Sequence, residues 1–263
     1  MTSIRNHVVE FAVDAPSPNR SGLITPKFIV MHYTAGWTAR SAVNTLTNPA
    51  SRVSAHVTID QNGVVYQHVP FNVKAWHAGP SSHMGYSGLN SHSVGIEIVN
   101  PGYLTRVDGN RFRDAYGRVH TAANVGPVVE SRHARVGSGT YFWPVYPEAQ
   151  LEAVEELTQE LLQEYNILDI VTHEEIDTRG WKTDPGPAFP MNRFKRHLGH
   201  RDLDGDTYQV TASVLNVRGG PGSNYSVEGQ VKRGDVVTGT DKNGDWVKID
   251  EDGWVHGGYL RRI

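Results

Sequence analysis

The stretch Phe28-Ile-Val-Met-His-Tyr-Thr-Ala-Gly36 decides how the first two hundred residues are read. The unbroken apolar run Phe28 to Met31 suits a short strand buried on both faces, and such strands belong to sheets covered by helices. His32 stands at the carboxyl end of that strand, where sheets of this kind host chemistry. Working outward, Ala42, Val43 and Leu46 fall at helical spacing within Ala39 to Thr47. That pattern stops at Asn48-Pro49, because the residue before a proline avoids helix. Val53 to Asp60 and Val64 to Val69 flank Asn62-Gly63, two residues that accept positive φ, so an antiparallel hairpin is expected. Ser93-Val-Gly-Ile-Glu-Ile-Val99 alternates, placing Val94, Ile96 and Ile98 on one face and Glu97 on the other. A helix opens at Pro147, and its positions Leu151, Val154, Leu157, Leu161 and Tyr165 step by three and four into a core stripe. Ile167 to Thr172 reads as a second buried strand, again delivering a histidine, His173, at its end. The predicted class is α/β, a mixed central sheet flanked by helices.

Composition bounds the rest. The chain has 263 residues, 38% hydrophobic and 20% charged, with net charge −3, which suits one large domain or two unequal ones. A phosphate-tracking surface usually needs a clear excess of Lys and Arg, so the near-neutral balance argues against a general nucleic-acid binder and leaves only local basic patches open. No run of about 18 apolar residues predicts a membrane span. No charged-then-apolar leader follows Met1, so no secretory signal is expected, and action outside the cytoplasm would depend on lysis, a holin or a dedicated secretion system. Cysteine is absent, which removes disulfides, thiolate metal sites and cysteine nucleophiles. Any metal must sit on nitrogen and oxygen.

From Thr207 onward the pattern changes to short alternating segments, such as Tyr208 to Leu215, Asp235 to Gly239 and Trp246 to Ile249, separated by Gly, Asn and Asp turns. This is a small all-β module, with Trp246 expected in its core. The polar stretch Gly199 to Asp206 has little to bury and marks the boundary. The expected organisation is a domain over 1–200, a linker over 201–206 and the module over 207–263.

Two strands that each end in histidine, followed by a downstream carboxylate, make His32, His173 and Asp184 a candidate metal set of two imidazoles and one carboxylate, a mixture that zinc accepts. Thirteen histidines offer many triples, so spacing alone does not single this one out. On the same footing Glu97 is a solvated strand carboxylate, Lys182 a surface charge and Asp184 a turn former before proline.

The residues around these positions carry more. Five stretches occur in order: Ile29-Val-Met-His-Tyr-Thr-Ala-Gly36; Val53-Ser-Ala-His-Val57 with Gly63; Ala75-Trp-His-Ala-Gly79; Ser93-Val-Gly-Ile-Glu-Ile98; and Thr172-His173 with Lys182-Thr-Asp-Pro-Gly-Pro-Ala-Phe189. Together they resemble the zinc N-acetylmuramoyl-L-alanine amidases of the type 2, AmpD-like class, related in fold to peptidoglycan-recognition proteins, over about residues 25 to 195. The resemblance implies that His32, His173 and Asp184 hold Zn2+, that Glu97 is the catalytic carboxylate and that Lys182 is the cation beside the reacting carbonyl. It implies hydrolysis of the amide between muramic acid and L-alanine in peptidoglycan, and places Trp76 and His77 along the substrate groove. His56 reads as a supporting or core histidine, while His68, His83, His92, His120 and His133 read as ordinary residues.

The chain departs from the compact family pattern between Asn100 and Tyr146, a Gly-rich segment carrying Arg106, Arg111, Arg113, Arg118, Arg132 and Arg135. Such an insertion is either a solvated hairpin excursion or a substrate-shaping element whose arginines meet stem-peptide carboxylates. Glu174-Glu-Ile-Asp177 is also more acidic than the family pattern. The tail resembles bacterial SH3-like modules, through Leu215-Asn-Val-Arg-Gly-Gly-Pro-Gly222 with Tyr225, Gly244-Asp-Trp-Val-Lys-Ile249 and Gly253-Trp-Val-His-Gly-Gly-Tyr259. Such modules dock cell-wall peptide, which implies a wall-targeting role. The expected enzyme is an endolysin or wall-remodelling amidase. Its alternatives are a cytosolic amidase recycling soluble anhydro-muropeptides and a non-catalytic wall-binding protein of the same fold.

Overall fold

The structure is a computed structural model that describes residues 3–199, 207–249 and 253–263. It divides into two compact units, Met1–Phe194 and Lys195–Ile263. The first unit ends at Phe194, within the helix Met191–Gly199 and just ahead of the boundary expected at residue 200. The expected linker lies outside the described residues.

The first unit is built on a six-stranded sheet in the order Asp169–Thr172, Phe28–Tyr33, Ser93–Ile98, Val57–Ile59, Val65–Gln67 and Val13–Asp14. The first four strands run parallel, Val65–Gln67 turns back antiparallel against Val57–Ile59, and Val13–Asp14 pairs parallel with it. The sheet is therefore mixed, as the apolar runs and the hairpin pattern predict. Burial on both faces explains the unbroken Phe28 to Met31 run, since all four side chains are fully inaccessible. The helix Glu148–Glu164 buries Leu151, Val154, Leu157, Leu161 and Leu162 and packs against the Val57–Ile59 strand. Each such side chain contributes roughly 1.5–3 kcal/mol by leaving water. Gln150, on the same face, donates from Nε2 to the carbonyls of Ile59 and Val99 at 3.0 Å each, satisfying backbone at the strand ends.

The hairpin closes differently from the tight turn that Asn62-Gly63 suggests. Its loop spans Asp60 to Val64, with Gly63 N–H donating to the Asp60 carbonyl, and of the pair only Gly63 takes positive φ. Gly63 is also where the loop meets the long helix: a Cβ there would stand 2.7 Å from the Ala149 carbonyl oxygen.

The excursion from Asn100 to Tyr146 folds into a three-stranded antiparallel sheet, Thr105–Asp108, Arg111–Arg113 and Val119–Thr121, followed by the hairpin Val128–His133 with Gly137–Pro144. It has a small core of its own, Leu104, Phe112, Val125 and Phe142, against which Trp37 packs. It is more than a solvated hairpin.

From Thr207 onward the second unit is built on seven β-strands in one hydrogen-bonded order. Val210, Leu215, Val237, Val247, Ile249 and Val255 form its core. Trp246, expected in that core, is half-buried instead, with its ring edge-on to His256 at 5.4 Å. Alternation puts Val247 and Ile249 inward and turns Trp246 to the other face.

Candidate active site

Three neighbouring parallel strands deliver the site. In their register Glu97 lies beside His32, and Thr172 lies beside Met31, so His173 follows one step beyond its strand at the same edge of the sheet. His173 opens the helical turn His173–Ile176, fixed by a capping box: Thr172 Oγ1 accepts the Glu175 N–H at 3.0 Å, and the Glu175 carboxylate accepts the Thr172 N–H at 2.7 Å. Asp184 reaches the same point from the following loop, where Glu174 N–H donates to the Asp184 carbonyl at 3.1 Å.

The three side chains converge on one spot. His32 Nδ1 and His173 Nδ1 are 2.9 Å apart, and Asp184 Oδ2 lies 3.0 Å from the first and 2.9 Å from the second. All three residues are buried, and they form the metal-competent cluster found among the described residues. Their surroundings assign the protons. Ser93 Oγ donates to the Leu89 carbonyl at 2.7 Å, so it accepts from His77 Nε2–H at 3.3 Å, which leaves His77 Nδ1 bare to accept His32 Nε2–H at 3.0 Å. His173 Nε2–H donates to the Ala78 carbonyl at 3.3 Å. In its neutral form each ring therefore turns a lone pair, not a proton, toward the carboxylate. Burial, outweighing the opposing hydrogen bond and charge of Asp184, pushes the His32 pKa down to about 4, so that ring is neutral. Two nitrogen lone pairs and a carboxylate oxygen packed this closely repel one another unless a cation lies among them, and the donor set fits zinc.

Glu97 is the second element. Its Oε2 is buried and has no hydrogen-bond partner among the described residues, and its pKa is raised to about 8 by burial and by the Asp184 charge, against the opposing charge of Lys182. His32, Glu97, His173, Lys182 and Asp184 all line one cleft of about 890 Å3. Lys182 is held by its backbone: its N–H donates to Asp177 Oδ2 at 3.0 Å, and its carbonyl accepts from Arg135 Nη1 at 2.9 Å.

Trp76 and His77 line the same cleft. Both His77 ring nitrogens are engaged, however, which makes it the support of His32 rather than an unengaged donor to a ligand. Trp76 Nε1 donates to Ser21 Oγ at 3.2 Å. His56 is fully buried beneath: its Nδ1 accepts the Gly95 N–H at 2.9 Å, its Nε2–H donates to the Val73 carbonyl at 3.0 Å, and burial lowers its pKa to about 3. The acidic run after His173 is structural. Glu174 pairs with His133 at 3.0 Å, Glu175 caps the turn, and Asp177 accepts from Arg179 Nε and from the N–H groups of Trp181 and Lys182.

Sequence reasoning missed Ser93 and Asn90, and weighed Arg135 only among the arginines of the excursion that could meet substrate, whereas it braces the Glu174 and Lys182 carbonyls. Asn90 Oδ1 accepts the N–H groups of His77 and Ala78 at 2.9 and 2.7 Å, and so sets the loop that carries the supporting ring. The signal available was Gly95, a glycine inside a strongly apolar strand, which marks a close approach.

Comparison with known proteins gives the family. The profile described as N-acetylmuramoyl-L-alanine amidase matches residues 22–187, and that described as bacterial SH3 domain matches residues 213–261. The chain is 30% identical over 145 residues to the 1,6-anhydro-N-acetylmuramyl-L-alanine amidase AmpD of Salmonella typhimurium, covering 55% of this chain and 56% of that protein. It is 32% identical over 177 residues to the N-acetylmuramoyl-L-alanine amidase AmiD of Escherichia coli, covering 64% of this chain and 51% of that one. The chain thus spans about half the length of these curated relatives. A crystal structure of a selenomethionine AmpD derivative shares the fold, with TM-score 0.53, 24% identity, and coverage of 74% of this chain and 98% of that one. With more than half its residues matched by the family profile, this chain belongs to the N-acetylmuramoyl-L-alanine amidase family and carries a bacterial SH3 domain after the amidase domain.

Proposed function

We propose that the chain hydrolyses the amide between N-acetylmuramic acid and L-alanine in bacterial peptidoglycan, with zinc held by His32, His173 and Asp184. The observation that carries this reading is a buried donor triangle sharing one cleft with a carboxylate whose Oε2 has no partner. Zinc bound there would supply Lewis-acid chemistry, making water available as a nucleophile near neutral pH. Glu97 takes the proton from the attacking water as the new C–O bond forms, and hands it to the alanine nitrogen as the C–N bond breaks, so alanine leaves as an amine. A raised pKa suits this double duty, since the group must both hold and release a proton near neutral pH. Lys182 places a fixed positive charge in the same cleft, where the carbonyl oxygen becomes negative, and stabilises that charge more than the neutral carbonyl. His77 and Ser93 hold the His32 ring in the tautomer that ligates.

In this reading residues 1–200 are the catalytic domain, with 100–146 as its insertion, and 207–263 bind the wall and keep the enzyme near its substrate. The substrate is the wall itself, and the chain acts as an endolysin or wall-remodelling enzyme once released. The presence of a bacterial SH3 domain favours this over recycling of soluble anhydro-muropeptides, the alternative that a relative named a 1,6-anhydro-N-acetylmuramyl-L-alanine amidase would support. No helix among the described residues is long and apolar enough to cross a membrane.

Two measurements test the assignment. Mass spectrometry of products from intact sacculi and soluble anhydro-muropeptides should show free stem peptides from the sacculi, and exhaustive chelation should abolish their release. Glu97→Gln should retain metal and fold but lose about 10²–10⁴ in turnover. Hydrolysis undiminished by chelation, or a near-wild-type rate for Glu97→Gln, removes the mechanism.

A further inference from the structure

The excursion between Asn100 and Tyr146 carries six arginines, and the structure sorts them by what they touch. Arg106 lies over the Phe112 and Phe142 rings at 5.2 and 4.3 Å, Arg111 pairs with Asp108 at 2.6 Å, and Arg113 donates to the Gly117 carbonyl at 3.2 Å. Arg135 donates to the carbonyls of Glu174 and Lys182 at 2.8 and 2.9 Å. Of the six, Arg118 is the one that lines the cleft.

Its position is built rather than incidental. Asp114, whose side chain is 2% exposed, accepts at Oδ2 from Arg118 Nε at 3.0 Å, His120 Nε2 at 2.9 Å and Trp37 Nε1 at 3.2 Å. Its Oδ1 accepts the N–H groups of Tyr116 and Arg118, at 3.0 Å each. One buried carboxylate thus gathers Trp37, Tyr116 and Arg118, and all three line the cleft. The Arg118 guanidinium is held at its Nε edge and lies 5.1 Å from the Tyr116 ring centroid, while no hydrogen bond among the described residues engages its terminal nitrogens. Tyr116 is 67% exposed, so the platform is open to a ligand. Because Asp114 spreads its charge over three side chains and two backbone groups, it fixes the guanidinium without saturating it.

We propose that Arg118, with Tyr116 and Trp37, forms a carboxylate-binding subsite that receives the acidic stem peptide of the substrate. This rests on the amidase reading above, which puts the muramoyl–alanine amide at the zinc ligands; the stem peptide, joined at that amide, then extends into the cleft that both the ligands and Arg118 line. Among the described residues Lys182 and Arg118 are the two Lys or Arg side chains lining that cleft, and the amidase reading commits Lys182 to the reacting carbonyl. A stem carboxylate within the cleft therefore has Arg118 as its partner. The terminal N–H groups of a guanidinium match the two oxygens of a carboxylate, and a guanidinium already ordered loses little entropy on binding. The excursion then sets which peptides the enzyme accepts, while the sheet supplies the chemistry.

Calorimetry on the full chain with the stem tripeptide alanyl-γ-glutamyl-lysine, and with the same tripeptide amidated at its carboxylates, tests this without requiring turnover. The wild-type chain should prefer the acidic peptide. Arg118→Gln should weaken binding of that peptide roughly tenfold and leave the amidated one within about twofold. Arg118→Lys, which keeps the charge but not the planar fork, should fall between. A wild-type chain that binds both peptides equally, or fails to bind the acidic one, overturns the subsite, as does an Arg118→Gln chain that loses both alike or neither. With muramoyl peptides as substrates, the same substitution should raise KM for the acidic form and leave kcat unchanged. A wild-type chain that binds the acidic peptide but cleaves no muramoyl substrate would instead count against the amidase reading alone.

Discussion

Gly95 has no side chain, and that absence lets the His77 ring lie on the sheet. A Cβ at Gly95 would stand 2.5 Å from His77 Cγ, inside the distance at which either can stay in place. The ring it would displace is the acceptor for His32 Nε2–H, the bond that turns the His32 lone pair toward His173 and Asp184. Gly95→Ala should therefore leave the sheet folded but weaken zinc binding about 10–100-fold, the usual consequence of disturbing a group that orients a metal ligand. Titration against a competing chelator reads this directly, and unchanged affinity would show that His77 does not orient His32. At this scale the sequence names candidates without choosing among them. His32, His173 and Asp184 were legible as the right donor types, but so were other triples among thirteen histidines. His77 showed as a groove residue and does line the cleft, but nothing in the sequence signalled its two ring contacts, which make it a support of His32 as well. The difference lies in which nitrogen faces which neighbour, and that depends on residues distant in the chain.

At the scale of elements the strands and the long helix followed the apolar pattern, because burial selects for it directly. The hairpin at Asn62-Gly63 was legible as a hairpin but not in its loop, since the contact of Gly63 with the long helix shapes the closure. The excursion was the least legible part. Its order depends on Asp114, a residue with no distinguishing neighbours in the sequence. Burial works to raise the Asp114 pKa, but hydrogen bonds from His120, Trp37 and the backbone N–H groups of Arg118 and Tyr116 outweigh it and lower the value to about 2. A folded-state pKa below the ordinary carboxylate value means stability that is fully present above about pH 4 and lost as pH falls toward 2. The excursion should loosen in that window, at a cost of roughly 2 kcal/mol, seen as a change in tryptophan fluorescence. Asp114→Asn should be less stable at neutral pH and should show a smaller acid-dependent loss. An acid limb identical to that of the wild type would place the titrating group elsewhere.

For the whole molecule, the amidase and SH3 units each have their own core, so removing the second should spare the chemistry of the first. Deleting residues 207–263 should lower activity on intact walls by about tenfold or more through lost effective concentration, and change activity on a soluble muropeptide by less than about twofold. Equal losses on both would mean that the tail supports the fold of the catalytic unit instead of delivering it.

By itself the sequence determined the class of the fold, the existence of a separate β module, the exclusion of thiolate chemistry and the residue types able to hold a metal. These are properties of composition and period, which local chain chemistry dictates. Only the tertiary structure decided that two histidine nitrogens and an aspartate oxygen lie within 3.0 Å of one another, that Glu97 is left with an unpartnered oxygen beside them, and that Arg118 rather than any other arginine of the excursion reaches the cleft. Those facts come from packing between segments more than a hundred residues apart in the case of His32 and its two partners. No local pattern encodes such proximity, because it depends on how the strands are ordered in the sheet and on which loops return over it.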